Sequence, residues 1–147
     1  MSIRDWDTEE SDDKWAAPKR ILIVDDLKDG ADSMKRLLEM IGHEVYTLYN
    51  GEEAIEQVGT IKPDVLLLDI GMPKRSGYDV CCYIRGQPWG KDMLIIAITG
   101  WGQAVDRRRT KQAGFDHHLV KPIDIEVLKS LINAQFIKRD TNDGVSF

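Results

Sequence analysis

Long apolar runs, separated cysteines and a basic excess are all missing from this sequence, and each absence removes a class of function. The main apolar stretches, ILIV at 21 to 24, VLLL at 65 to 68 and LIIAI at 94 to 98, fall far short of the ~20 residues a membrane helix needs. No secretory leader is expected, because Ser2-Ile3-Arg4 run straight into an acidic stretch rather than into an apolar one. The only cysteines, Cys81 and Cys82, are neighbours, a spacing that strains disulfide geometry, and no CxxC redox or zinc motif occurs. Reduced thiols in a cytoplasmic protein are the expectation, with Cys81 and Cys82 packing as small apolar residues.

Charge is moderate and unevenly placed. Of the net −5, −4 falls in residues 1 to 18, where Asp5, Asp7, Glu9, Glu10, Asp12 and Asp13 oppose only Arg4 and Lys14. That segment lacks an apolar period and ends in Ala16-Ala17-Pro18, so it reads as a flexible acidic leader. The remainder is close to neutral and offers no nucleic-acid footprint. Arg107-Arg108-Arg109 with Lys111 reads as a solvated helix face, since no recognition helix pair or aromatic stacking platform accompanies it. With 147 residues, 42% hydrophobic and 31% charged, the chain has the balance of one compact domain. The boundaries expected are a leader over 1–18, the domain over 19–138 and a short tail over 139–147.

From residue 20 onward, short apolar strands alternate with helical patterns. Strands are predicted at 20–24, 44–48, 64–69, 93–99 and 117–120, and helices at 29–41, 51–58, 78–85, 103–113 and from about Asp124. Met34, Leu37, Leu38 and Ile41 give the first helix its apolar face, and Val127, Leu128, Leu131 and Ile132 give the last helix one. Gly42 stops the first helix, Gly77 supplies the turn before the third, and Asp124 is placed to cap the last. Wholly apolar strands alternating with helices imply an α/β fold with a parallel sheet covered on both faces.

In such a sheet the functional crevice lies at the carboxyl ends of the strands. There the sequence places Asp25-Asp26 after the first strand, Asp69 at the end of the third, Thr99 at the end of the fourth and Lys121 after the fifth. Three converging carboxylates repel one another and need a counter-charge. A hard divalent cation supplies it, and Mg²⁺ suits a few oxygens with several waters. Around that cation Asp69 can act as nucleophile, while Thr99 and Lys121 hold phosphoryl oxygens, in chemistry that is mainly positioning and electrostatics. His117 and His118, adjacent in a strand, point to opposite faces and cannot readily chelate one ion together. His43 reads as turn filler.

ILIVDD at 21–26, LLLDIGMPKRSGYDV at 66–80, AITG at 97–100 and LVKP at 119–122 resemble, in order and spacing, the receiver domains of response regulators. The resemblance covers about residues 20 to 135. It implies the flavodoxin-like, doubly wound, five-stranded parallel sheet of order 2-1-3-4-5. It makes Asp69 the phosphoacceptor, and Asp25, Asp26, Asp69 and the Gly71 backbone carbonyl the holders of Mg²⁺, for which Mn²⁺ can substitute. Thr99 becomes the switch hydroxyl and Lys121 the phosphoryl-binding cation, with Lys121–Pro122 expected cis. The implied function is that of a phosphorelay receiver, not an enzyme on other substrates. Its donor would be a histidine kinase or histidine phosphotransfer protein, and its output a change in interactions with a downstream protein.

Three positions depart from the commonest pattern. His118 stands where the family usually has Tyr or Phe as a second switch residue. Gly71 and Trp101, each two residues beyond a site residue, occupy positions that modulate phosphoryl lifetime. Trp101 is expected to shield the phosphoryl group from water, because Gly71 offers no cover on the other side.

Two other classes compete. A phosphatase resembling the haloacid dehalogenases would want a second Asp two residues after its nucleophile, where Gly71 stands. A flavin carrier of this topology would want a phosphate cradle after the first strand, where Asp25-Asp26-Leu27-Lys28-Asp29 has the wrong charge. No output domain is expected in a chain of this length, which is expected either to act alone or to be the receiver of a hybrid kinase. DNA and membrane are not expected partners, and the expected state is a monomer or weak dimer.

Overall fold

The computed structural model describes residues 15 to 100 and 102 to 145, with side chains as far as Ile137. Strands β1 (Arg20–Val24), β2 (Glu44–Leu48), β3 (Val65–Asp69), β4 (Leu94–Thr99) and β5 (His117–Val120) alternate with helices α1 (Lys28–Ile41), α2 (Gly51–Ile61), α3 (Gly77–Arg85), α4 (Arg107–Ala113) and α5 (Ile125–Val145). All strand pairs are parallel, and the order β2-β1-β3-β4-β5 is that of the flavodoxin-like fold. Leu22 pairs with Leu66 and Leu66 with Ile95, so the three central strands run in step, while β3 extends past the end of β1 and β4 past the end of β3.

The chain divides into two units. The larger, Pro18–Asp124, contains the sheet and α1 to α4. On one sheet face Leu22, Val24, Leu66, Leu68, Ile95 and Ala97 pack with Ala54 and Val58 of α2, with Val80, Cys81 and Ile84 of α3, and with Ala113 of α4. Each fully buried Leu or Ile contributes roughly 1.5–3 kcal/mol relative to exposure. β3 and β4 are buried at every position, which is why they read as unbroken apolar runs rather than alternating ones.

The smaller unit contains α5 and, of the described residues before Pro18, Trp15 to Ala17. Within it the Ala16 N–H donates to Asn133 Oδ1 at 2.7 Å. Among the described residues of α5, the buried side chains are Leu128, Ile132 and Phe136, at i, i+4 and i+8. Val127, expected on the apolar face, is 42% exposed. α5 also continues to Val145, past the point where a tail was expected.

Other element ends moved for identifiable reasons. α4 begins at Arg107 rather than at 103, because the Asp106 side chain caps it by accepting from the Arg109 N–H at 3.1 Å. α2 runs three residues beyond Val58, to a left-handed Lys62. On α1, Ala31 and Leu38 are buried while Leu37 is 40% exposed, so the buried stripe is narrower than the periodicity suggested. Gly77 is the first residue of α3, not a turn before it, and Ser76 caps that helix. A β-carbon on Gly77 would stand 2.6 Å from the Asp69 carbonyl oxygen and 2.7 Å from Ile70 Cα, so glycine is required for close approach rather than for a turn. Cys81 is buried and Cys82 is exposed; burial pushes the Cys81 thiol up to about 12.

A candidate phosphoryl and metal site at the strand ends

β1, β3, β4 and β5 deliver their following residues to one edge. There Asp25, Asp26 and Asp69 offer carboxylate oxygens that all lie within 4.8 Å of one another. Asp25 and Asp69 are each only 6% exposed, while Asp26 faces solvent. Asp25 is pinned by the Leu27 N–H, which donates to its Oδ1 at 2.9 Å, and Asp69 by the Gly71 N–H, which donates to its Oδ1 at 2.8 Å.

Lys121 reaches into this cluster. Its Nζ lies 2.6 Å from Asp25 Oδ2 and 3.6 Å from Asp69 Oδ2. A backbone hydrogen bond fixes its position, the Lys121 N–H donating to the Thr99 carbonyl at 2.8 Å; the Lys121–Pro122 bond is cis. Burial works against the Lys121 ammonium, but the hydrogen bond and charge of Asp25, then those of Asp69, outweigh it and raise its pKa. Asp69 is raised as well: burial dominates, the Gly71 N–H and Lys121 oppose it, and neighbouring Asp25 adds to it. The two directions agree physically, because the cation sits closer to Asp25 and leaves Asp69 only partly compensated.

Thr99, fully buried, has its Oγ1 2.7 Å from Nε2 of His118. Burial first, and then the charge of Arg107, lower the His118 pKa. His117 is exposed on the opposite side of the strand, so the two histidines do not converge. His43 is not turn filler: it is buried, and its Nδ1 accepts from the Lys19 N–H at 3.0 Å, linking the approaches to β1 and β2. Arg107, Arg108 and Arg109 are exposed, with the Arg109 guanidinium 4.1 Å from the centre of the Tyr78 ring.

Trp101, the expected shield, lies outside the described residues. The flank beside Gly71 is not open as expected, because the amide of Gln103 rests there: a β-carbon on Gly71 would fall 2.5 Å from Gln103 Nε2. The helical pattern predicted over 103–113 gives Gln103 no role at the site, and the structure places it outside α4. No sequence signal marks it, since its place depends on a turn that brings two loops together.

No helix among the described residues is long and apolar enough to cross a membrane. A family model described as the response regulator receiver domain matches residues 21–133. Response regulator MprA of Mycobacterium tuberculosis (strain ATCC 25177 / H37Ra) is 35% identical over 125 residues, which are 85% of this chain and 54% of that protein. The chain thus spans about half the length of the curated relatives it matches. Among solved structures, the receiver domain of sensor histidine kinase PA1611 from Pseudomonas aeruginosa PAO1, with a magnesium ion coordinated in its active-site cleft, aligns with a TM-score of 0.72 at 28% identity. That alignment covers 82% of this chain and 98% of that one. The signal receiver domain of a DNA binding response regulator from Colwellia psychrerythraea 34H aligns with a TM-score of 0.70 at 29% identity, covering 81% and 98%. Strand order, the acidic cluster at the strand ends and the match across residues 21–133 agree: the chain belongs to the response regulator receiver domain family of two-component signalling.

Proposed function

We propose that this domain accepts a phosphoryl group on Asp69 from a phosphohistidine of a histidine kinase or histidine phosphotransfer protein, and that the modified state alters its contacts with a downstream protein. The observation that carries the reading is the meeting of Asp25, Asp26 and Asp69 within 4.8 Å, with Lys121 touching two of the three. Asp25, Asp26, Asp69 and the Gly71 carbonyl would hold Mg²⁺, or Mn²⁺ in its place, an oxygen donor set suited to a hard cation. When bound, that ion supplies neutralisation of charge on the transferring group.

The chain's own residues do the rest. An Asp69 carboxylate oxygen forms the new bond to phosphorus as the phosphorus–nitrogen bond of the donor breaks, and the donor imidazole takes up a proton. Lys121 pairs with one phosphoryl oxygen. Thr99 donates its hydroxyl to another, which requires it to turn away from His118. Exchange of that one hydroxyl between two acceptors is the proposed switch, with His118 as its second member. The reaction ends with Asp69 itself, so the domain acts as a signalling receiver that catalyses only its own phosphorylation and hydrolysis.

The domain is proposed to work in the cytoplasm and not to read DNA by itself, since its basic residues on α4 lie along an exposed helix face with no recognition element beside them. Incubation with acetyl phosphate or phosphoramidate and Mg²⁺, followed by mapping of the modified residue, tests the central assignment.

A further inference from the structure

Gln103 is fastened in place by its own loop. Its N–H donates to the Gly100 carbonyl at 3.1 Å, while the Gly100 N–H donates back to Gln103 Oε1 at 3.0 Å. Gly102, at φ 80°, closes the turn between them in the left-handed region that glycine favours. The result is a small ring of backbone and side chain directly after Thr99. With Oε1 engaged by Gly100, the amide presents Nε2 towards Gly71. Nε2 would stand 2.5 Å, and Cδ 3.2 Å, from a β-carbon on that residue. Gly71 in turn holds the Asp69 carboxylate through its N–H at 2.8 Å. The amide therefore fills the room that a side chain at position 71 would take, beside the loop that carries Asp69.

We propose that Gln103 is a positioning residue that prolongs the life of the phosphoryl group on Asp69, resting on the reading of Asp69 as phosphoacceptor. Hydrolysis requires a water oxygen to bond to phosphorus while the bond to the Asp69 oxygen breaks, releasing inorganic phosphate and returning the carboxylate. The departing proton passes to solvent. An amide lying along the Gly71 flank excludes water from that approach. Gly71 makes this arrangement possible, because any larger residue there would displace the amide.

The test compares wild type with Gln103→Ala. Gln103 is exposed, so the substitution leaves the core intact. After labelling with acetyl phosphate and Mg²⁺ and removal of the donor, loss of the phosphoryl group is followed by intact mass. The variant should lose it on the order of tenfold faster, equivalent to about 1.4 kcal/mol of barrier, with an unchanged Mg²⁺ midpoint in a binding titration. In the unphosphorylated protein, the backbone amide signals of Gly71 and Gly100 should both shift in ¹⁵N spectra of the variant. Labelled wild type with equal or slower loss in Gln103→Ala would overturn the role of Gln103 while leaving the Asp69 reading intact. An unmoved Gly71 signal would overturn the placement of the amide. Absence of label on wild-type Asp69 would overturn both readings.

Discussion

Thr99 Oγ1 stands 2.7 Å from His118 Nε2, so the buried hydroxyl that ends β4 already has a partner on β5. Either atom can donate, according to the imidazole tautomer. Protonation of His118 would remove Nε2 as an acceptor and place a second cation near Arg107.

This contact has a pH signature. Burial, then Arg107, hold His118 below the ordinary histidine value, so the fold favours the neutral ring. Its contribution to stability is therefore present above the unfolded value of about 6.5 and is lost as pH falls through the lower, folded one. His43, held low by burial and by Lys19, acts with the same sign. NMR titration should show His118 with a midpoint below the usual range, and Arg107→Ala should move it upward. Denaturant midpoints of His43→Gln should retain the part of the acid dependence that belongs to His118. A His118 midpoint at or above the ordinary value would contradict this account.

Lys121→Ala separates charge compensation from metal binding. Without Nζ, 2.6 Å from Asp25, two buried carboxylates lose their cation, and the metal-free domain should lose about 1–3 kcal/mol of stability. Added Mg²⁺ should recover much of that loss, because the variant retains the three carboxylates. Thr99→Ala should likewise keep Mg²⁺ binding while abolishing the response to beryllofluoride, a phosphoryl mimic. Loss of Mg²⁺ binding in either variant, with the fold intact, would show that these side chains have been given the wrong roles.

The strand ends were legible in the sequence because a parallel sheet buried on both faces writes unbroken apolar runs, and the polar residues that stop them are conspicuous. The pattern predicts Asp25, Asp26, Asp69, Thr99 and Lys121 on one edge; the three carboxylates and the Lys121 ammonium meet there, while the Thr99 hydroxyl at the end of β4 contacts His118. What periodicity could not supply was anything that depends on tertiary placement. Arg85 looked like an ordinary helix end, yet its guanidinium donates to the carbonyls of Gly114, Gly90 and Met93 and pairs with Asp116. Gln103 fitted a helical pattern equally well, and only the Asp106 cap and the Gly100–Gln103 turn remove it from the helix. Leu37 and Val127 satisfied an apolar spacing but lie at the edge of their stripes, where solvent reaches them.

Gly77→Ala should expose how closely α3 is set against the Asp69 loop. The added methyl would meet the Asp69 carbonyl and Ile70 Cα at 2.6 and 2.7 Å, both backbone atoms that cannot swing aside. A cost of about 1–3 kcal/mol is expected from such overpacking, together with slower labelling as Asp69 is displaced. Thermal unfolding and labelling rate measured on the same preparation check it; an unchanged rate and midpoint would mean that the approach is looser than described.

The most direct test of the account is the identity of the modified residue. Wild type, Asp69→Asn and Lys121→Ala are incubated with acetyl phosphate or phosphoramidate, with Mg²⁺, with Mn²⁺ or with a chelator, and read by intact mass and peptide mapping. One phosphoryl group should appear on wild type at Asp69, only when a divalent cation is present, and none at that position in Asp69→Asn. Unaltered labelling of Asp69→Asn at the same peptide, or full labelling of wild type in chelator, would contradict the assignment of this edge of the sheet as a metal-assisted phosphoryl site.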